Sequence, residues 1–246
     1  MGLEFKYKPA GDTSILINLE NGINEETNKR IINFSNQIEK SPGSGFGEVI
    51  IGYQSVLVQY NPLRLTYAQA VDKLKSWEEW TSITNHEKRR TVEIPVLYGG
   101  EHGPDLERVT HHNQLSIDEV VSIHSASRYL VYFLGFTPGY PFMGGMSKKI
   151  ATPRLESPRI SIPPGSVGIA KDQTGIYPVA SPGGWNLIGN TPLRLYNPEE
   201  SNPFLLNAGD NITFKAIQIE EFNNIKEQVE KGTYELVNNQ QQTTMN

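Results

Sequence analysis

The chain has 246 residues, 27 acidic against 22 basic side chains, no cysteine, 22 glycines and 16 prolines. This length suggests one or two domains and suffices to bury a core without metal or disulfide staples. The absence of cysteine excludes a disulfide framework, a thiolate nucleophile and Cys-held zinc or iron–sulfur clusters, and the net charge of −5 argues against a general nucleic-acid binder.

The N-terminal MGLEFKYKPAGDTS alternates like a strand and lacks the apolar stretch of a secretory signal. The longest strongly apolar run, Leu130 to Phe136, falls far short of the roughly 20 residues of a membrane helix. The expectation is a soluble cytoplasmic protein that binds neither membrane nor nucleic acid.

Ser14 to Leu19, Glu48 to Tyr53 and Ser55 to Tyr60 read as strands. Between them Thr27, Ile31, Phe34 and Ile38 share one face of a helix of about seventeen residues. Thr66-x-x-Gln69 is a capping box that opens a second helix with Tyr67, Ala70, Val71, Leu74 and Trp77 inward. This order is ferredoxin-like if Arg90 to Val96 adds a last strand. The polar stretch Thr81 to Arg90 marks a linker, which predicts an N-terminal α/β domain over 1–88.

Ser116-x-x-Glu119 is a further capping box, opening a short helix with Ile117, Val120 and Val121 inward. An apolar strand follows at Tyr129 to Leu134. From Gly135 to Pro192 there are ten Gly and nine Pro in 58 residues, twice the density of the whole chain. Such breakers exclude continuous helices. The pieces RISI, SVGIA, TGIYPV and LRLY favour a barrel of short strands over 89–235. The fold class expected is therefore α+β. The polar 236–246 is expected to be a disordered tail.

The same 58 residues carry a local charge of +3 from Lys148, Lys149, Arg154, Arg159 and Lys171 against Glu156 and Asp172. Pro153-Arg154 and Pro158-Arg159 present two guanidiniums from adjacent rigid turns, suited to carboxylate or phosphate. Isolated, such a pair reads as solvated arginines. Among so many glycines it reads as an anion site. Gln173, Thr174 and Tyr177, with Pro182, Gly183, Gly184 and Trp185, add amide, hydroxyl and phenol groups beside an aromatic ring, a lining for a small polar ligand. Tight turns around a core tryptophan give the same composition. His124 lies on the apolar face of its helix, where a histidine is more often a satisfied core residue than a catalyst. No HExxH, EF-hand loop or P-loop is present.

GFTPGYPFMGGM (135–146), PRLESPRISIPPGSVGIAKDQTGIYPVASPGGWNLIGNTPL (153–193), NAGDNITF (207–214), PAGDTSILI (9–17) and VEIPVLYGGEHGPDL (92–106) closely resemble one family. It is that of the 5-oxoprolinase B subunit, also called allophanate hydrolase subunit 1, which includes the sporulation kinase inhibitor KipI. The resemblance implies an N-terminal α/β domain followed by a cyclophilin-like β-barrel. It implies partners, the 5-oxoprolinase C subunit (a homologous barrel) and A subunit, with which 5-oxoproline is opened to L-glutamate using ATP. In that setting His124, Arg154 and Arg159 are the expected catalytic residues. Gln173, Thr174, Tyr177 and Pro182 to Trp185 are the expected substrate contacts. Mg²⁺ is expected to travel with ATP, with no protein-held metal. The alternatives are a KipI-like inhibitor of a sensor histidine kinase, or an allophanate hydrolase or urea carboxylase type of chain.

Overall fold

Alternation of apolar and polar residues along Ser14–Leu19 and Ser55–Tyr60 gives each strand one buried face, and the first sheet is built around these two. The computed structural model describes residues 5–78 and 89–236. The chain divides into two units, one within residues 1–87 and one within 88–246. The expected linker core at 81–88 and all but the first residue of the expected tail lie outside the described residues.

The first unit runs β1 (Phe5–Pro9), β2 (Ser14–Leu19), α1 (Glu25–Glu39), β3 (Phe46–Ile51), β4 (Ser55–Tyr60) and α2 (Tyr67–Lys75). Its sheet has the order β1-β2-β4-β3, every pair antiparallel. Ile15, Ile17, Leu19, Val56 and Val58 are buried with Ile31, Phe34 and Ile38 of α1 and Ala70, Val71 and Leu74 of α2. Burying a large aliphatic side chain of this kind contributes about 1.5–3 kcal/mol. Asn24 caps α1 by accepting from the Thr27 N–H, and the Thr66–Gln69 box on α2 is complete.

The fourth strand of this sheet is not the one expected. Arg90 to Val96 falls in β5 (Thr91–Tyr98), which belongs to the second unit, and the place beside β2 is taken by β1. Two packing facts account for this. Phe5 of β1 is buried against Phe34, with ring centroids 5.0 Å apart. In β5, Val92, Ile94, Pro95 and Val96 are all buried, which requires cover on both faces.

The second unit continues with α3 (Leu106–Asn113), α4 (Ile117–Ala126), β6 (Arg128–Leu134), β7 (Pro141–Gly144), β8 (Arg159–Ile162), β9 (Ser166–Ala170), β10 (Gln173–Ile176), β11 (Ser181–Gly183), β12 (Asn186–Asn190), β13 (Asn211–Ala216) and α5 (Ile219–Glu230). Seven strands form one sheet of order β10-β9-β12-β5-β13-β6-β7. The β13–β5 pair is parallel and the others antiparallel. Its two edges, β10 and β7, lie against each other, so the sheet is curled into a nearly closed barrel. The core holds Val92, Ile94, Val96, Val131, Val167, Ile169, Ile188 and Ile212. Strands β8 and β11 pair apart from it as a two-stranded ribbon.

Two local expectations change. The Ser116–Glu119 capping box forms on α4, but Ile117, in the helix's first turn, is 47% exposed while Val120 and His124 are buried. Leu193 to Tyr196 makes no ladder strand; Leu193 and Leu195 enter the core from an irregular segment, and Tyr196 forms a single bridge to Phe204. No helix among the described residues is long and apolar enough to cross a membrane.

Candidate functional site

The breaker-rich stretch places Arg154 in the loop before the β8–β11 ribbon and Arg159 at the start of β8. The Arg154 guanidinium stands 5.9 Å from the centroid of the Trp185 ring, a cation–π arrangement. Trp185 is buried and meets Tyr140 edge-on, and Tyr140 in turn meets Tyr177 at 5.5 Å and 74°. Burial pushes the Tyr177 hydroxyl up to about 12, against the pull of Arg154 and Arg159, whose charges both reach it. Tyr177 is therefore a neutral phenol at neutral pH, suited to hydrogen bonding and not to proton abstraction.

Glycine is required here by close approach. A Cβ on Gly183 would sit 2.5 Å from the Tyr177 hydroxyl oxygen, and one on Gly175 would sit 2.2 Å from that of Tyr140. Gly184 accepts a hydrogen bond from the Leu155 N–H at 2.7 Å, tying the arginine-bearing loop to the ribbon. The buried Asn186 holds the same loop from below. Its amide donates to Pro153 O at 2.9 Å and Ile169 O at 3.0 Å, and its Oδ1 accepts from Arg108 Nε at 2.9 Å.

Arg159 is tied to the turn before α3. Its Nη2 donates to Asp105 Oδ1 at 2.8 Å, while its Nη1 is shielded from solvent and has no partner among the described residues. It lines a groove of about 930 Å³ together with His102, Ser161, Asn190, Arg194 and Lys226. Arg194 and Lys226 make no ion pair with the described residues. Phe222, Lys226 and Val229 reach the groove from one face of α5, and His102 packs on Phe222 with ring centroids 4.7 Å apart. The groove thus combines an apolar wall with three cationic side chains, the carboxylates of Glu101 and Glu230, and the amide of Asn190, whose Nδ2 is fixed on Pro164 O at 3.0 Å. Among the described residues no group of three or more His, Asp or Glu side chains is arranged to hold a metal ion.

The structure brings Arg154, Arg159, Tyr177, Gly183, Gly184 and Trp185 together, with Pro182 exposed on β11 and Gln173 half-buried at the start of β10. It takes His124 and Thr174 elsewhere. His124 is fully buried and stacked on Phe214, its Nδ1 is 2.7 Å from the Tyr98 hydroxyl and its Nε2 is 2.9 Å from Thr174 Oγ1. Thr174 Oγ1 donates to Gly168 O at 3.1 Å. A single assignment satisfies every partner: Tyr98 donates to Nδ1, Nε2–H donates to Thr174, and Thr174 donates onward. Burial holds the imidazole down to about 3, so it stays neutral. His124 is a core residue without access to substrate, and the Thr174 hydroxyl is committed to the same chain of hydrogen bonds. Neither lines the groove, and of the other expected site residues only Arg159 does.

Asp105, Asn190, Arg194 and Lys226 escaped the sequence reading. The run GGEHGPD signals a turn at Asp105, yet nothing local ties it to an arginine 54 residues later.

Residues 5–206 match the family model described as carboxyltransferase domain, subdomain C and D. The chain is 44% identical over 242 residues to the 5-oxoprolinase B subunit of Bacillus subtilis (strain 168), covering 93% of this chain and 99% of that one. It is 40% identical over 205 residues to the 5-oxoprolinase B subunit of Escherichia coli O157:H7, covering 83% and 92%. Among solved structures, TTHA0988 aligns with a TM-score of 0.73 at 35% identity over 83% of this chain, which spans 40% of that longer one.

Proposed function

Since the chain belongs to the family of the 5-oxoprolinase B subunit, we propose that it fills that place in an ATP-dependent 5-oxoprolinase. In this reading it works with the A and C subunits to convert 5-oxo-L-proline to L-glutamate, and its second unit is a cyclophilin-like barrel. The observation that carries the site assignment is the groove, in which Arg159, held by Asp105, stands with two cations that make no ion pair with the described residues. Arg159, already neutralised by Asp105, suits a singly charged planar carboxylate, which its remaining edge meets by hydrogen bonding. Arg194 and Lys226 keep their charge and suit phosphate.

ATP fits this groove by size, since ligand pockets commonly measure about 300–1,000 Å³. Arg194 and Lys226 would hold its phosphates, and Mg²⁺ would be bound through phosphates and water. The nucleotide would supply a phosphoryl group to the lactam oxygen, which makes the ring carbonyl carbon a better electrophile for water, with the C–N bond opening to the amine of glutamate and phosphate released. The chain's own residues bind and orient. Arg159 holds the carboxylate, and Ser161 and Asn190 are the polar contacts beside it, whereas Arg154, Trp185, Tyr177 and Gln173 do not line this groove.

The test is reconstitution with the A and C subunits. ATP hydrolysis that depends on 5-oxoproline and on this chain is expected. The carboxyltransferase description of the family model favours a second reading, in which turnover follows urea-derived substrates and 5-oxoproline gives none.

A further inference from the structure

We infer that Asp105 is the positioning residue for Arg159, holding one amino group of its guanidinium so that the part-exposed side chain is fixed at the edge of the groove, where it meets an anionic ligand. The inference rests on the reading of Arg159 as a substrate-binding residue.

The two oxygens of Asp105 are divided between two tasks. Oδ1 accepts from Arg159 Nη2 at 2.8 Å, and Oδ2 accepts from the Leu187 N–H at 2.7 Å. The Asp105 N–H donates back to Leu187 O at 2.9 Å, so the residue is clamped to β12 through both backbone and side chain. The turn before it is equally fixed: a Cβ on Gly103 would lie 2.1 Å from Ile188 O, so only glycine allows this approach. The carboxylate therefore has a fixed place in the barrel wall, and Arg159 is fastened to that place.

Its position at the start of α3 makes the point sharper. Asp105 is the N-cap residue, where an aspartate side chain ordinarily accepts from the helix's first N–H groups and stabilises by about 1 kcal/mol. Here the side chain makes no capping bond. That local stabilisation is forgone for a contact across 54 residues of sequence. Arg159 itself stands on a ribbon outside the main sheet, its side chain 30% exposed, and Asp105 is its ion-pair partner. Without that anchor a long side chain on such a ribbon samples several rotamers, and ordering it on binding costs affinity.

Asp105→Asn separates the two tasks. An amide offers one acceptor oxygen, which serves either Leu187 or Arg159 but not both. In the assembled complex Asp105→Asn is expected to raise KM for 5-oxoproline about 10-fold with kcat within about 2-fold, and to add nothing further on an Arg159→Ala background. The Arg159 side-chain ¹⁵N signals are expected to be resolved as hindered Nη groups in the parent and to average in Asp105→Asn. Asp105→Glu, which keeps the charge but displaces it by one methylene, is expected to raise KM as well. A KM change that persists on the Arg159→Ala background, or a fall in kcat with KM unmoved, overturns the inference. So do unaltered Arg159 signals, a readout that needs no turnover. Failure of Arg159→Ala to alter KM would instead overturn the substrate-binding reading itself, whatever the spectra show.

Discussion

His124 Nε2 lies 2.9 Å from Thr174 Oγ1 inside the barrel, so the one histidine of α4 is committed to structure. Burial holds its folded pKa at about 3, whereas in the unfolded chain it titrates near 6.5. Between these values the unfolded state binds more protons, so stability falls as pH falls. This group alone is expected to contribute a slope of about 1.4 kcal/mol per pH unit between about pH 6 and pH 4. Urea unfolding of the parent and of His124→Gln across that window checks it. The variant should be weaker at pH 7 and its acid slope shallower, whereas equal slopes would show that His124 is protonated in the folded state.

Gly183 lies under the Tyr177 hydroxyl, where a Cβ would come within 2.5 Å of the oxygen and 2.8 Å of Ile162 Cδ1. Gly183→Ala is expected to destabilise the protein by about 1–3 kcal/mol, the usual cost of overpacking. Tyr177→Phe removes the nearer atom, so the double variant should recover part of the loss. Thermal unfolding of the two single variants and the double variant measures the coupling.

Phe5 is buried against Phe34, and β1 closes the edge of the first sheet beside β2. Phe5→Ala is expected to cost about 3 kcal/mol, at the lower end of the range for a core aromatic because the strand is at an edge. Hydrogen exchange should show protection lost within residues 5–78 and kept within 89–236. Loss of protection throughout would contradict the assignment of Phe5 to a core of its own.

Much of this was legible in the residues. The capping boxes at Thr66 and Ser116 formed because their four-residue patterns are self-contained. The Gly- and Pro-rich stretch yielded short strands because breakers act locally. What escaped required knowledge of distant partners. The run around Val92 to Val96 reads as a strand in either unit, and only two-sided burial assigns it to the barrel. The pattern around His124 gives an inward histidine but not whether its ring nitrogens meet substrate or core, and that was decided by Tyr98 and Thr174, 26 and 50 residues away. The Arg154–Arg159 pair marked the site, while the acid that orients Arg159 and the lysine of α5 came from outside the marked stretch.

The most direct measurement is the rate of 5-oxoproline-dependent ATP hydrolysis by the reconstituted complex, comparing the parent chain with Arg159→Ala at the edge of the groove. Loss of a charge-assisted contact to the substrate carboxylate is expected to lower kcat/KM by about 10- to 100-fold, measured at a temperature where the variant, which leaves Asp105 without its ion-pair partner, is still folded. A variant that turns over 5-oxoproline at the parent's kcat/KM would contradict the placement of the substrate at Arg159.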